Sequence, residues 1–175
     1  MRIEQLCREV ELNLRWTVFP LHPDTPEDGL ALEDLFPGKD IPGMLAMLRE
    51  RAAELGLPFG ERSHTYNSRR AQELGKWAEE QGRGAVFRDA VYRAYFAEGK
   101  NIARPEVLLA ICESLELATG RAGEILERGE YAAAVDADWQ RAMQLGVRSV
   151  PSHLCANRLL VGFRDYPDFL RLVDQ

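Results

Sequence analysis

Patterns typical of β-strands occur near the two ends of this 175-residue chain, and helical patterns fill the sequence between them. In LNLRWTV (residues 12–18) every second residue is apolar, which predicts a strand with one buried face. The runs SHLC and LLVG flank the polar turn ANR near the other end and predict an antiparallel hairpin. This order indicates an α+β or α/β fold in which helices interrupt a sheet. We place the sheet portion at residues 1–25 and 147–175, and the inserted helical domain at residues 26–146.

Helical periodicity dominates the middle of the sequence. A short helix is also expected at residues 2–9, and a final helix follows Asp165, whose carboxylate is a candidate N-cap. The apolar stripes of the central helices, such as Met44, Leu48 and Leu55, are expected to lie in the core. Five central segments carry apolar residues at three- and four-residue spacing: residues 41–56, 67–82, 85–99, 104–117 and 131–146.

Composition and charge disfavour two classes of partner. The net charge is −6, whereas affinity for nucleic acid depends on basic side chains that neutralise phosphates. No apolar run approaches the ~18 residues that a membrane-spanning helix needs, and charges interrupt the amino-terminal stretch where a signal peptide has its apolar segment. We therefore expect no nucleic-acid partner and no membrane partner, and we expect a cytoplasmic location.

The cysteines and histidines form no metal or disulfide motif. Cys7, Cys112 and Cys155 are an odd number, lie far apart in the sequence and include no CxxC pair. His64 and His153 have no carboxylate or cysteine at the spacing of a metal site or a catalytic triad. We expect three free thiols, no metal and no cofactor.

Pro151 stands where the predicted hairpin begins. A proline at the first position of a strand has no N–H to donate, so it marks a sheet edge or a place that another group approaches. The residues alone leave two alternatives open. A trans bond would start an edge strand, whereas a cis Val150–Pro151 bond would turn the chain and present the Val150 backbone to an extended peptide.

Four blocks of the sequence resemble the DsbA-like thioredoxin family, in particular its FrnE-like cytoplasmic branch. The resemblance runs in order over residues 2–173 and implies a thioredoxin fold with a helical domain inserted between its strands. It also implies that Pro151 is a cis-proline and that the backbone of Val150 faces a peptide or small-thiol substrate. The blocks are RWTVFPLHPDTPEDG, YNSRRAQELGKWAEEQG, AYFAEGKNI and GVRSVPSHLCANRLLVG.

The chain departs from this family where the family has its active site. Members begin with a strand and then a CxxC motif at the start of the first helix, where helix amides stabilise a thiolate nucleophile. The stretch RIEQLCREV resembles the later part of that helix. The first strand and both active cysteines are therefore expected to be missing. Cys7 does not replace them, because it lies beyond the first turn without a partner cysteine, so we predict no catalytic residue.

A missing central strand would leave backbone groups unpaired, at about 1–3 kcal/mol for each buried group. Three ways to close the gap stay open. The strand at residues 12–18 could pair with the hairpin, an upstream segment absent from this chain could fill the gap, or a second copy could close the sheet in a homodimer.

Three functional hypotheses follow from the resemblance. The first is a thiol-disulfide oxidoreductase whose CxxC is absent from this chain, so that the chain as given is redox-inactive. The second is a redox-inactive module that binds a peptide or thiol. The third is a glutathione-dependent isomerase or transferase of the kappa-class type, which is disfavoured because VGFRDYPDFL lacks the Asp-Arg pair of those relatives.

Three further residues are minor candidates for the site. By resemblance, His22 lies near a strand end on the active-site side. His153 and Cys155 are two positions apart, so they share one face of a strand. A Cys–His pair there could raise the reactivity of the thiol.

Overall fold

The structure is a computed structural model that describes residues 2–174. Within these residues, nine α-helices and four short strands follow one another along the chain. The helices are α1 (Arg2–Glu9), α2 (Leu32–Leu35), α3 (Ile41–Glu54), α4 (Arg69–Glu80), α5 (Gly84–Tyr92), α6 (Pro105–Ser114), α7 (Thr119–Arg128), α8 (Ala132–Gln144) and α9 (Tyr166–Val173). The strands are β1 (Leu30–Ala31), β2 (His64–Thr65), β3 (Ser152–Cys155) and β4 (Arg158–Val161), and a π-helical turn (Arg93–Ala97) continues α5.

The chain divides into two compact units. Residues 2–21 and 137–174 form the first, which we call the hairpin unit because it contains β3 and β4. Residues His22–Asp136 form the second, the helical unit. The domain boundaries expected from the sequence, at residues 25 and 147, stay a prediction.

The helical unit has a core built from the inward faces of α4 to α7. Leu74 of α4, Leu108 of α6 and Ile125 of α7 have no exposed surface, and Phe87 of α5 is almost fully buried. These side chains recur at helical spacing on each element, so removing their apolar surface from water stabilises the bundle. The small antiparallel pair of β1 and β2 lies outside this bundle, with Leu30 opposite Thr65.

Polar side chains fasten the loop at residues 22–29 within the helical unit. Asn67 Nδ2 donates to the carbonyls of Pro23 and Thr25, at 2.9 and 3.0 Å. Asn101 Nδ2 donates to the carbonyl of Glu27 at 2.8 Å, while Arg70 forms an ion pair with the Glu27 carboxylate at the same distance. These residues belong to the blocks that carry the family resemblance, so part of that signature maintains the fold.

The hairpin unit joins its first and last helices beside a two-stranded sheet. Strand β3 pairs antiparallel with β4, with His153 opposite Leu160. The turn between them needs a left-handed residue at Ala156, which has a φ of 51°. Arg2 of α1 pairs with Asp165 just before α9 at 3.0 Å, and Phe169 buries the inner face of α9.

The strand predicted at residues 12–18 is wrong, because residues 11–20 contain no regular secondary structure. Leu14 and Trp16 of the face expected to be buried are also exposed, at 46% and 44%, whereas Leu12 and Val18 are half-buried. An alternating pattern produces a strand when a neighbouring strand satisfies its backbone groups. Here β3 and β4 form a sheet of two strands, and residues 12–18 do not pair with it.

Two further expectations need correction, and some elements were not predicted. Of the stripe expected at residues 41–56, Met44 is half-buried, Leu48 and the C-cap residue Leu55 are exposed, and Ile41 is the buried residue of α3, so this stripe is not core. The Asp165 side chain makes no capping hydrogen bond, because its carboxylate accepts from Arg2 instead. Within the described residues the helix at 2–9, the helix after Asp165 and the five central ones are confirmed, but α2, α7, β1 and β2 were not predicted.

Candidate functional site

A glycine at the end of α8 determines where the chain leaves that helix and turns towards β3. Gly146 has a φ of 74°, a left-handed conformation that glycine adopts without steric cost. The Val147 N–H donates to the carbonyl of Ala142 at 3.0 Å and satisfies part of the last helical turn. The chain therefore leaves the helix at Gly146 and reaches β3 within a few residues.

Val150 and Pro151 lie immediately before β3, and the peptide bond between them is cis. The carbonyls on either side of Val150 are engaged: Ser149 accepts from Ser152 Oγ at 2.7 Å, and Pro151 accepts from the Gly162 N–H at 2.8 Å. The Val150 N–H and C=O have no hydrogen-bond partner within residues 2–174. The side chain of Val150 is 45% exposed. One residue between two anchored carbonyls thus offers a free donor and a free acceptor.

Strand β3, which follows Val150 and Pro151, also has backbone groups that are not paired. In the part of the chain that the structure describes, β3 pairs with β4 and with no other strand, so its second edge is unpaired. An unpaired edge presents N–H and C=O groups to which an extended peptide can add as a further strand. The Val150 backbone is at the beginning of that edge.

His153 and Cys155 share a face of β3, but no hydrogen bond links the thiol to the Nδ1 of the histidine. The His153 ring stands edge-on against Phe169, with centroids 4.8 Å apart, and its Nδ1 is buried without a hydrogen-bond partner. Burial lowers the pKa of His153, against a smaller opposing effect of the Leu160 backbone. The contacts describe a histidine packed between β3 and α9, and a reactive Cys–His pair stays a prediction.

His22 belongs to the helical unit. It adopts a left-handed φ of 52°, and its carbonyl accepts hydrogen bonds from the N–H and the Oγ1 of Thr25, at 3.2 and 2.8 Å. Its ring meets Phe36 edge-on. These contacts hold the beginning of the loop at residues 22–29, and a role for His22 in substrate binding stays a prediction.

Asp138 is the polar residue of the hairpin unit that the sequence analysis missed. Its carboxylate is 3% exposed, accepts from Arg15 Nη2 at 3.1 Å, and accepts from the Val18 N–H at 3.1 Å. The sequence does contain a signal, because Asp138 lies between Val135 and Ala142 on the buried face of α8. This carboxylate fixes the irregular segment that was predicted to be a strand.

The cysteines offer no pair for disulfide chemistry. All three thiols are free, with Cys7 exposed, Cys155 half-buried and Cys112 buried. Burial raises the pKa of the Cys112 thiol to about 11, so little of it is thiolate at neutral pH. Within residues 2–174, no cluster of histidine, cysteine and carboxylate side chains could hold a metal ion. No helix among the described residues is both long and apolar enough to cross a bilayer.

Comparison with known families and proteins gives one clear match. The model of the DSBA-like thioredoxin domain matches residues 1–174, which is nearly the whole sequence. No curated protein matches the sequence significantly.

Solved structures share this fold at low sequence identity. A "probable DsbA oxidoreductase" from Streptomyces coelicolor is 23% identical, with a TM-score of 0.78 over 86% of this chain and 69% of that protein. A 2-hydroxychromene-2-carboxylate isomerase is 19% identical, with a TM-score of 0.73 over 98% of this chain and 83% of that protein. The cytosolic disulfide reductase DsbM from Pseudomonas aeruginosa is 22% identical, with a TM-score of 0.60 over 98% of this chain and 84% of that protein. At these identities the likeness shows the fold alone.

Proposed function

Because the chain belongs to the DSBA-like thioredoxin domain family, with the mixed α/β thioredoxin fold expected from its sequence, we propose that it forms the substrate-binding portion of a thiol-disulfide oxidoreductase. In this role Val150 and the free edge of β3 hold an extended peptide or a small thiol, and the chain by itself does not exchange disulfides.

The unsatisfied backbone of Val150 carries this proposal. Val150 is exposed at a strand end, and its N–H and C=O are a donor and an acceptor with which an extended peptide can pair when it adds to the sheet edge. Pro151 cannot donate a hydrogen bond, so recognition at this point depends on Val150. Main-chain hydrogen bonds would supply affinity for peptides of many sequences.

The thiols support the absence of disulfide exchange. That reaction needs a thiolate that attacks and a second thiol that resolves the mixed disulfide. Cys112 is buried with a raised pKa, and Cys7 and Cys155 are single thiols on different elements. The oxidoreductase hypothesis requires a CxxC motif, which the chain does not contain. Translating the DNA upstream in frame distinguishes this from a module that only binds.

Glutathione is the second candidate ligand. A structure of DsbM from Pseudomonas aeruginosa with GSH is 22% identical to this chain, with a TM-score of 0.60. Glutathione has the backbone amides and the thiol that the Val150 segment would recognise. Saturable glutathione binding with no binding of longer peptides would favour the kappa-class type of function.

Calorimetric titration tests the proposal. The ligands are an acetylated hexapeptide with a central S-methylcysteine, the same peptide N-methylated at every residue, and glutathione. The unmodified peptide is expected to bind, and the N-methylated one to lose at least tenfold in affinity, because it cannot donate to the sheet edge. Equal affinity of the two peptides, or no heat from any ligand, would contradict the proposal.

We further propose a homodimer in the cytoplasm. Leu154, Leu159 and Val161 of the hairpin are exposed apolar side chains, and a second copy that covered them would remove this surface from water. Sedimentation at several protein concentrations tests the dimer. A constant monomer mass up to about 100 μM would refute it, because association would then be weaker than ~5.5 kcal/mol. The location is supported by the cytosolic description of DsbM.

A further inference from the structure

A groove of about 400 Å³ lies in the helical unit between the π-helical turn and α6. This volume falls within the ~300–1,000 Å³ range of clefts that hold small molecules. Its floor is apolar, and charged side chains stand at its rim. All the lining residues belong to the helical unit, so the groove is a feature separate from the Val150 segment.

Small side chains explain why the groove is open. Ala90 and Ala94 line one wall, and Ala110 lines the facing wall on α6. The same helices pack tightly one turn away, where Phe87 and Leu108 fill the core. Where alanines face each other, the space that larger side chains would occupy stays empty.

The π-helical turn shapes the wall that carries Arg93. Such turns insert an extra residue into a helix and are frequent at functional sites. Here the turn is closed by the Glu98 N–H, which donates to the Arg93 carbonyl at 3.1 Å, and by the Lys100 N–H, which donates to the Ala94 carbonyl at 2.8 Å. These two hydrogen bonds fix the backbone of Arg93 and Ala94 in the wall of the groove.

The lining of the groove contains two cations, Arg93 and Lys100, and two carboxylates, Glu98 and Glu106. Lys100 pairs with Glu98 at 2.7 Å, and Glu106 lies 3.6 Å from Arg104, which also pairs with Asp28 at 2.9 Å. The Arg93 guanidinium has neither a hydrogen bond nor an ion pair within residues 2–174. Arg93 is therefore the cation of the lining that is left without a partner in the described chain, and an unpaired guanidinium beside an apolar floor favours a ligand with one negative charge and an apolar body.

We propose that this groove binds a small apolar carboxylate. The carboxylate pairs with the Arg93 guanidinium, and the apolar body lies over Ala94 and Ala110. The proposal does not depend on peptide binding at Val150, because it rests on residues of the helical unit alone.

NMR titration of the full chain tests the proposal, with octanoate below its micelle concentration as the probe and 1-octanol as its uncharged match. Octanoate is expected to give saturable shifts confined to amides of residues 90–114 and to the Arg93 side chain. Octanol is expected to bind at least threefold more weakly, because it lacks the charge that pairs with Arg93. The octanoate affinity is expected to fall with added salt.

Two variants and their controls localise the site. Arg93→Gln is expected to weaken octanoate at least threefold and to leave octanol unchanged, while Arg128→Gln on α7 has no effect. Ala110→Leu is expected to weaken both probes by filling the groove, while Ala53→Leu on α3 weakens neither. All four substitutions are at exposed positions, so folding is expected to be preserved.

Three results would each overturn the proposal. One is the absence of saturable shifts with octanoate up to about 10 mM, which would mean that binding is weaker than ~3 kcal/mol. Another is a set of shifts spread equally over the exposed apolar residues of the hairpin unit. The third is octanoate affinity that is the same in the wild type and in Arg93→Gln.

Discussion

Arg15 donates a hydrogen bond from Nη2 to Oδ1 of Asp138 at 3.1 Å, although 123 positions separate the two residues in the sequence. The other carboxylate oxygen accepts the Val18 N–H. The Arg15 side chain is 63% exposed while that of Asp138 is 3% exposed. The buried partner is therefore the one whose loss leaves polar groups unsatisfied.

Asp138→Asn is expected to lower the free energy of unfolding by about 1–3 kcal/mol, because the amide nitrogen cannot accept one of the two hydrogen bonds. Urea unfolding followed by circular dichroism measures the change. Asp165→Asn is the matched control, since that side chain is 82% exposed, and is expected to stay within about 0.5 kcal/mol of wild type. Equal effects of the two substitutions would show that Asp138 has no special role.

Gly60 and Gly75 are expected to respond to alanine with opposite signs. A Cβ on Gly60 would lie 2.1 Å from the Ala97 carbonyl oxygen in the π-helical turn, whereas a Cβ on Gly75 would meet nothing within 4 Å. Gly60→Ala is expected to destabilise by about 1–3 kcal/mol through overpacking. Gly75→Ala, inside α4, is expected to stabilise by about 0.5–1 kcal/mol. Thermal unfolding of both variants measures the sign of each change. A Gly60→Ala variant as stable as the wild type would disprove the close contact.

The sequence predicts the helices better than the strands for a physical reason. A helix satisfies its backbone internally, so the spacing of Leu74 and Trp77 is enough to predict α4. A strand depends on a neighbouring strand to satisfy its backbone. The alternation around Trp16 does not show whether such a neighbour is present. Strands of two residues, such as β1, are too short for their period to be recognised. Gly120 and Gly123 in α7 weaken its helical pattern in the sequence.

The candidate site, too, is predicted from the sequence only in part. Proline chemistry and the family resemblance direct attention to Val150 and Pro151 before any coordinates are known. The free backbone groups of Val150 depend on which neighbours reach them, and only the fold decides that. Asp138 was missed because a charged residue in a helical pattern is normally placed on the solvent side.

His153 is expected to make stability depend on pH. Burial holds its pKa below the ordinary value of 6.5 in the folded chain, so the unfolded chain binds the proton more readily. The stabilisation is complete above pH 6.5 and is lost as the pH falls through the lower folded-state pKa. Denaturant unfolding between pH 7.5 and 5 is expected to show a shallower pH dependence in His153→Phe than in wild type or His64→Phe. An unchanged slope in His153→Phe would contradict this.

The three thiols are expected to react in order of access. Cys7 is exposed and is expected to be alkylated first, whereas Cys112 is buried with a pKa of about 11 and is expected to react on the timescale of unfolding. Mass spectrometry after timed iodoacetamide labelling measures the order, with Cys7→Ser to assign the first event. In an insulin assay with dithiothreitol, the chain is expected not to accelerate turbidity. Acceleration that Cys7→Ser abolishes would refute the redox-inactive assignment.

Amide hydrogen exchange at Val150 measures the central claim directly. The Val150 N–H has no hydrogen-bond partner within the described chain, so it is expected to exchange rapidly in the free protein. Saturation with the S-methylcysteine peptide is expected to slow it at least tenfold, and the N-methylated peptide to leave it unchanged. Exchange at Val150 that is unaffected by a bound peptide would contradict the account.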